Sequence, residues 1–227
     1  MPLESELLVA RHQPRMLFSF TFLSEDHCKN QGGGWLMKLR YLGLALAASA
    51  CATTSALPIA SEQETFWRNL ASLCDQAFEG RIVHSSPGDT SMANQRLVMH
   101  VRECSDEEIR VPFHVGDDRS REWVFTRTST GLRLKHDHRH EDGQSDSVTM
   151  YGGDTREPGE SWSQSFPADE HTASINQLYR TNVWTVELRP GQSYIYDLER
   201  IGTDRRFRVE FDLTRPVAAP PPPWRVQ

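Results

Sequence analysis

Lysine is nearly missing from this chain. Three of its 25 basic residues are lysines, and only Lys135 lies past Cys51. Acidic residues number 31, which leaves a net charge of −6 at pH 7. From Cys51 onward there are 20 basic and 27 acidic residues. An acidic chain without a basic, aromatic-interleaved patch has no general attraction to nucleic acid, so no nucleic-acid partner is expected. Cysteine is also scarce: there are four, none of them in a CxxC pair. No apolar run approaches the roughly 20 residues of a membrane-spanning helix. The glycines of Tyr151-Gly152-Gly153-Asp154 form neither GxGxxG nor a Walker loop, so no phosphate cradle is expected. Gly159-Glu160-Ser161-Trp162 does not complete a GxSxG elbow. These absences leave no catalytic residue and no organic cofactor site to assign.

What is present begins with an export pattern. Residues 37–51 read MKLRYLGLALAASAC. Lys38 and Arg40 form a short positive region, an apolar run of ten follows, and small residues precede Cys51. This is the layout of a secretory signal peptide at residues 37–50. Residues 1–36 then read as upstream sequence, non-native or disordered. Ala48-Ser49-Ala50-Cys51 is similar to the lipobox of bacterial lipoproteins, with Ala48 where leucine is usual. The similarity implies lipidation of Cys51; plain cleavage nearby is the alternative. A lipid there would hold the protein on a membrane face, in the periplasm or cell envelope, without crossing it. Residues 51–60 read as a tether, 61–215 as one domain, and 216–227 as a proline-rich tail.

Without residues 1–51, two cysteines remain, Cys74 and Cys104. An even pair in an oxidising compartment points to one disulfide.

The domain opens with one helical pattern, Ser61 to Phe78. Ser61 and Glu64 have capping-box spacing, Phe66, Leu70, Leu73 and Ala77 share a stripe, and Gly80 would end the helix. Past Gly80 the period changes to two. Strands are expected near 81–85, 95–102, 109–115, 123–130, 132–140, 148–151, 161–166, 182–188, 193–198 and 206–213. Pro112 marks the third as an edge or bulged strand. Asp169-Glu170-His171 reads as a solvated turn. Eight to ten short strands without a crossover pattern predict an antiparallel up-and-down barrel, lipocalin-like, with one helix packed on it. A β-sandwich is the alternative.

The most chemically loaded stretch is GLRLKHDHRHEDG, residues 131–143. Alternation puts Leu132, Leu134, His136, His138 and His140 on one face. With the leucines inward, the histidines line the interior toward the mouth. Such a strand can bind a small polar ligand. It can also hold zinc through His136, His138 and His140, with Glu141, Asp142, Asp146, His100, His114 or His171 as further donors. The acidic loop that follows lacks the positional pattern of an EF-hand and reads as a hairpin connection.

The run Leu134-Lys135-His136-Asp137-His138-Arg139-His140-Glu141-Asp142-Gly143, followed by Tyr151-Gly152-Gly153-Asp154-Thr155, resembles a family of uncharacterised secreted proteins of Gram-negative bacteria. Phe66-Trp67 with Cys74, Leu97-Val98-Met99-His100 with Cys104, and Val111-Pro112-Phe113-His114-Val115-Gly116 match it as well. The resemblance covers about Phe66 to Trp224. It implies a secreted location and no assigned activity. The expectation is therefore an exported cell-envelope protein that binds a small ligand or a metal through the His136–His140 strand. The rival classes are a periplasmic metal-dependent hydrolase and a purely structural or interaction protein.

Overall fold

The computed structural model describes residues 59–90 and 92–225. The stretches read as upstream sequence and signal peptide, Cys51 and most of the tether lie outside the described residues. The elements are α1 (Ser61–Ala71), β1 (Gln76–Ser85), β2 (Leu97–Val101), β3 (Glu103–Cys104), β4 (Glu108–Val115), β5 (Asp118–Thr128) and β6 (Gly131–His138). They continue with β7 (Tyr151–Asp154), β8 (Ser163–Pro167), α2 (Glu170–Ile175), a 3-10 segment (Gln177–Thr181), β9 (Asn182–Arg189), β10 (Ser193–Arg200) and β11 (Arg206–Val217).

The sheet order is β7-β6-β5-β4-β2-β1-β11-β10-β9-β8, with β3 paired to β4. Every pairing is antiparallel, and β1 against β11 joins the two halves of the chain. The strands run up and down in sequence around a nearly closed barrel, as expected, rather than forming the two facing sheets of a sandwich. Period two decides which side chains enter. Phe207, Val209, Phe211 and Leu213 of β11 are buried, as are Trp184, Val186 and Leu188 of β9. Trp123 sits at the centre of this core. It stacks on Phe113 at 5.0 Å and on Tyr196 at 4.6 Å between ring centroids.

Helix α1 closes one end of the barrel. Phe66, Trp67 and Leu70 are buried in the common core. The buried Gln63 donates from Nε2 to Thr155 Oγ1 at 2.9 Å, just past the end of β7. The helix is shorter than its periodicity predicts. Ala60, not Ser61, is the N-cap, and no side chain caps the first turn, so no capping box forms. The chain turns at Asp75, which takes a φ of +64°. Ala77 and Phe78 then open β1, opposite His100 and Met99. Inward strand positions call for the same apolar side chains as a helix stripe, which is why the pattern ran on. Gly80 lies within β1 opposite Phe211, where a Cβ would come within 2.6 Å of the phenylalanine ring. Cys74 and Cys104 are joined as expected, with Cα atoms 6.3 Å apart, tying the exit of α1 to β3.

Three strand readings also shift. β4 is an interior strand, and Pro112 falls between its pairing with β2, which stops at Phe113, and with β3, which starts at Arg110. The missing N–H thus sits at the break between the two pairings, and the bulge of β4 lies next to it, between Phe113 and Val115. Val148 belongs to a loop, and β7 starts at Tyr151. β11 continues through Val217, so the tail begins two residues late. That tail then folds back. Trp224 N–H donates to Arg119 O at 3.2 Å, and Arg225 Nη2 meets both oxygens of the buried Glu122 at 2.7 and 2.6 Å.

The barrel has one seam, between β7 and β8. Asp169 N–H donates to Gly152 O at 3.0 Å across it. The buried Thr172 hydroxyl accepts from Gly152 N–H at 2.7 Å. Lys135 pairs with Asp169 over the same gap.

Candidate functional site: the open mouth of the barrel

Strand β6 aims Leu132, Leu134 and His136 into the barrel, all buried, and His138 follows half-buried on the same face. At the end where His138 lies the barrel opens, bordered by the 3-10 segment through Leu178 and Tyr179. A cavity of about 230 Å³ lies in this mouth, lined by aromatic rings that include Phe113, Trp123, Tyr151 and Tyr196, and bordered by the charged Asp89, Arg121, Glu122 and Arg205. A wider lobe of about 510 Å³ adjoins it and shares His138, Tyr151, Tyr196, Leu198 and Arg205. Trp184, Tyr179, Asn182 and Arg200 complete the lobe. Aromatic walls with a few converging polar groups are the usual make-up of a small-molecule site. A hollow of about 460 Å³ outside β1 and β11 is ringed instead by the surface charges Glu79, Arg81, Glu210, Asp212 and Arg215. It has no inward aromatic lining.

The polar groups of the mouth form two tyrosine–histidine pairs. His136 Nδ1 lies 3.0 Å from the Tyr151 carbonyl oxygen, which can only accept. Nδ1 therefore carries the proton, and Nε2 accepts from the Tyr196 hydroxyl at 2.8 Å. The imidazole stacks on the Tyr151 ring at 4.6 Å. Burial lowers the His136 pKa to about 3, so the ring is neutral at pH 7. His138 Nε2 sits 2.9 Å from the Tyr151 hydroxyl. Burial, aided by the Arg121 guanidinium, lowers the His138 pKa to about 4. The same burial pushes the Tyr151 phenol above its ordinary value. Both pairs are thus neutral hydrogen-bonding groups rather than charges. The indole N–H of Trp184 approaches the Tyr196 oxygen without reaching hydrogen-bonding geometry and has no other partner.

Charges stand around these neutral pairs. Arg121 Nη1 holds Asp118 at 2.5 Å, and Arg205 Nη1 holds Asp89 at 2.5 Å. Arg200 Nε donates to Asn182 Oδ1 at 2.9 Å, and its guanidinium lies 5.5 Å from the Tyr179 ring centre.

The expected histidine strand is thus partly assembled here. His136 and His138 line the mouth. His140 does not: β6 stops at His138, and His140 is exposed in the loop, its N–H bonded to Gln144 O at 2.8 Å. Of the further donors considered, Asp146 borders the lobe. Glu141 is exposed, and Asp142 bonds within its own turn, to Gln144 N–H. His171 is exposed on α2, while Asp169 caps that helix by accepting from Thr172 N–H at 2.9 Å. His100 and His114 face out on β2 and β4 and are buried there; burial lowers His114 to about 4. Among the described residues no three His, Cys, Asp or Glu side chains are grouped to hold a metal ion.

Sequence reasoning passed over Trp123, Trp184, Tyr196, Arg200 and Arg205. Alternation does place Trp184 and Tyr196 on inner faces. That β9 and β10 bring them to the same end as His136 depends on closure of the barrel. No family model, curated protein or solved structure matches this chain.

Proposed function

We propose that this protein is a non-enzymatic, exported carrier of the cell envelope that holds a small molecule with an apolar body in the barrel mouth. The observation that carries the reading is a barrel shut at one end by α1 and open at the other onto a cavity walled by aromatic rings. The two neutral Tyr–His pairs at its base supply orientation without the cost of burying a charge. Export and a lipid on Cys51 rest on the residue 37–51 pattern, and the Cys74–Cys104 bond is in keeping with an oxidising compartment.

Two experiments test this. Titration with the uncharged fluorophore N-phenyl-1-naphthylamine should give saturable emission enhancement. Leu198→Trp, which adds bulk at the junction of both lobes, should weaken it at least tenfold. Absence of binding, or binding indifferent to Leu198→Trp, removes the carrier reading. Separately, Cys51→Ser should move the protein from the membrane fraction to the soluble one. Unchanged partition removes the anchor.

A further inference from the structure

Resting on that reading, we infer that the mouth selects molecules with an oxyanion head, a carboxylate, sulfonate or phosphate, attached to a flat apolar body. The inference comes from how charge and hydrogen-bond donors are distributed in the wider lobe.

Two guanidinium groups line that lobe, Arg200 and Arg205, against a single carboxylate, Asp146. Asp146 stays ionised but is engaged on its own loop. Its Oδ1 accepts from Val148 N–H at 2.9 Å and lies 3.2 Å from the Ser147 hydroxyl, both on its own loop. Arg205 gives Nη1 to Asp89, but a guanidinium has five N–H donors in a planar fork. Arg200 engages an amide oxygen and an aromatic face, and neither neutralises it.

The lobe therefore offers a ligand guanidinium N–H donors that call for oxygen, chiefly those of Arg200, which has no carboxylate partner. Guanidinium favours planar oxyanions because two of its N–H groups fit two oxygens at once. The body of the ligand has its place in the adjoining cavity. There Trp123 and Tyr196, stacked on each other at 4.6 Å, form part of the wall.

The test compares two probes with the same aromatic body. 1-Anilinonaphthalene-8-sulfonate carries an anionic head, and N-phenyl-1-naphthylamine does not. Fluorescence titration at low ionic strength should show the sulfonate binding at least tenfold more tightly. Arg200→Gln and Arg205→Gln, made separately, should each shrink that preference, taken as the ratio of the two affinities, by threefold or more. Added salt should weaken only the sulfonate. Equal affinity for both probes, or a preference untouched by either arginine variant, overturns the oxyanion head while leaving the carrier reading standing. Failure of both probes to bind overturns the carrier reading itself.

Discussion

His136 on β6 and Tyr196 on β10 are joined by a 2.8 Å hydrogen bond that spans the one seam of the barrel. The two strands lie on opposite sides of the gap between β7 and β8 and are 60 residues apart in sequence. The bond therefore does structural work as well as shaping the mouth. Tyr196→Phe removes the donor and leaves a buried imidazole nitrogen unsatisfied. The expected cost is about 1–3 kcal/mol of unfolding free energy, read from urea melts at pH 7. A loss under a few tenths of a kcal/mol would show that the seam is held without it.

Acid should destabilise the fold well above the carboxylate range. His136 falls from 6.5 to about 3, and His138 and His114 to about 4. A histidine with a lowered folded pKa binds fewer protons folded than unfolded. Its contribution is intact above pH 6.5 and is lost as pH drops toward the folded value. Each such group contributes a slope of up to about 1.4 kcal/mol per pH unit. The carboxylates act lower. Asp197, held below the ordinary carboxylate range by Arg206 and Arg208 against its own burial, gives up its contribution only at lower pH. Urea midpoints between pH 6.5 and 4.5 isolate the histidines. His136→Gln should reduce the slope there by about 1.4 kcal/mol per unit, and a flat wild-type profile would rule out neutral buried histidines.

Much of this architecture is legible in the residues, and the gaps have physical causes. Strict alternation of large apolar and charged side chains, as in Phe207 to Leu213, reports burial on one face directly. It also places His136 correctly, because Leu132 and Leu134 fix the phase of β6. Alternation does not report where a strand stops. His140 keeps the phase, yet the acidic loop takes its backbone into a turn before it can join the wall. Nor does it report what covers an outward residue. Glu122 and Asp137 sit on the exposed side of β5 and β6, yet both are only 4% exposed. Glu122 lies under Arg225, about a hundred residues downstream, a contact no local pattern encodes.

That tail contact is open to a direct check. Arg225 bonds Glu122 through Nη2 and Glu103 at 3.0 Å through Nη1, while Arg110 holds Glu122 from the other side at 3.0 Å. Arg225→Met keeps the aliphatic stem and removes the charge. Hydrogen bonds to a buried charged group are worth about 1.5–3 kcal/mol, so a loss in this range is expected. Because Arg110 remains, the fold should survive. A neutral result would mean that the tail is held by its other contacts, among them the bonds of Arg119 to Pro222 O and from Trp224 N–H.

The disulfide fastens the plug. Cys74 follows α1 directly, and Cys104 lies on β3 at the same end of the barrel. Closing a loop of about 30 residues limits the unfolded chain by roughly 3–4 kcal/mol in the chain-entropy model. Cys74→Ser with Cys104→Ser should therefore cost about 2–5 kcal/mol. Amide exchange should speed up first in α1 rather than in β9 to β11. Uniform acceleration across the strands would mean that the bond stabilises the barrel as a whole and not the plug.

The seam makes the sharpest steric demand in the molecule. Gly153 on β7 faces the β8 end so closely that a Cβ would fall 1.9 Å from Pro167 O, a backbone atom with no rotamer to move. Its neighbour Gly152, at a φ of +143°, would place one 2.0 Å from Leu134 O. Two adjacent glycines thus let β7 lie against β6 on one side and against the β8–α2 junction on the other. Gly153→Ala must push the seam apart and disturb the Asp169 and Thr172 bonds to Gly152. Overpacking typically costs 1–3 kcal/mol, and the upper end, about 3 kcal/mol, is expected where backbone is the obstacle. The same change in Gly191, whose Cβ position meets nothing within 4 Å but whose φ is +66°, gives the cost of left-handed strain alone, which Gly153 does not carry. If the two substitutions cost the same, left-handed backbone strain at Gly191 would match the seam's crowding, and the closure described here would not be a tight one.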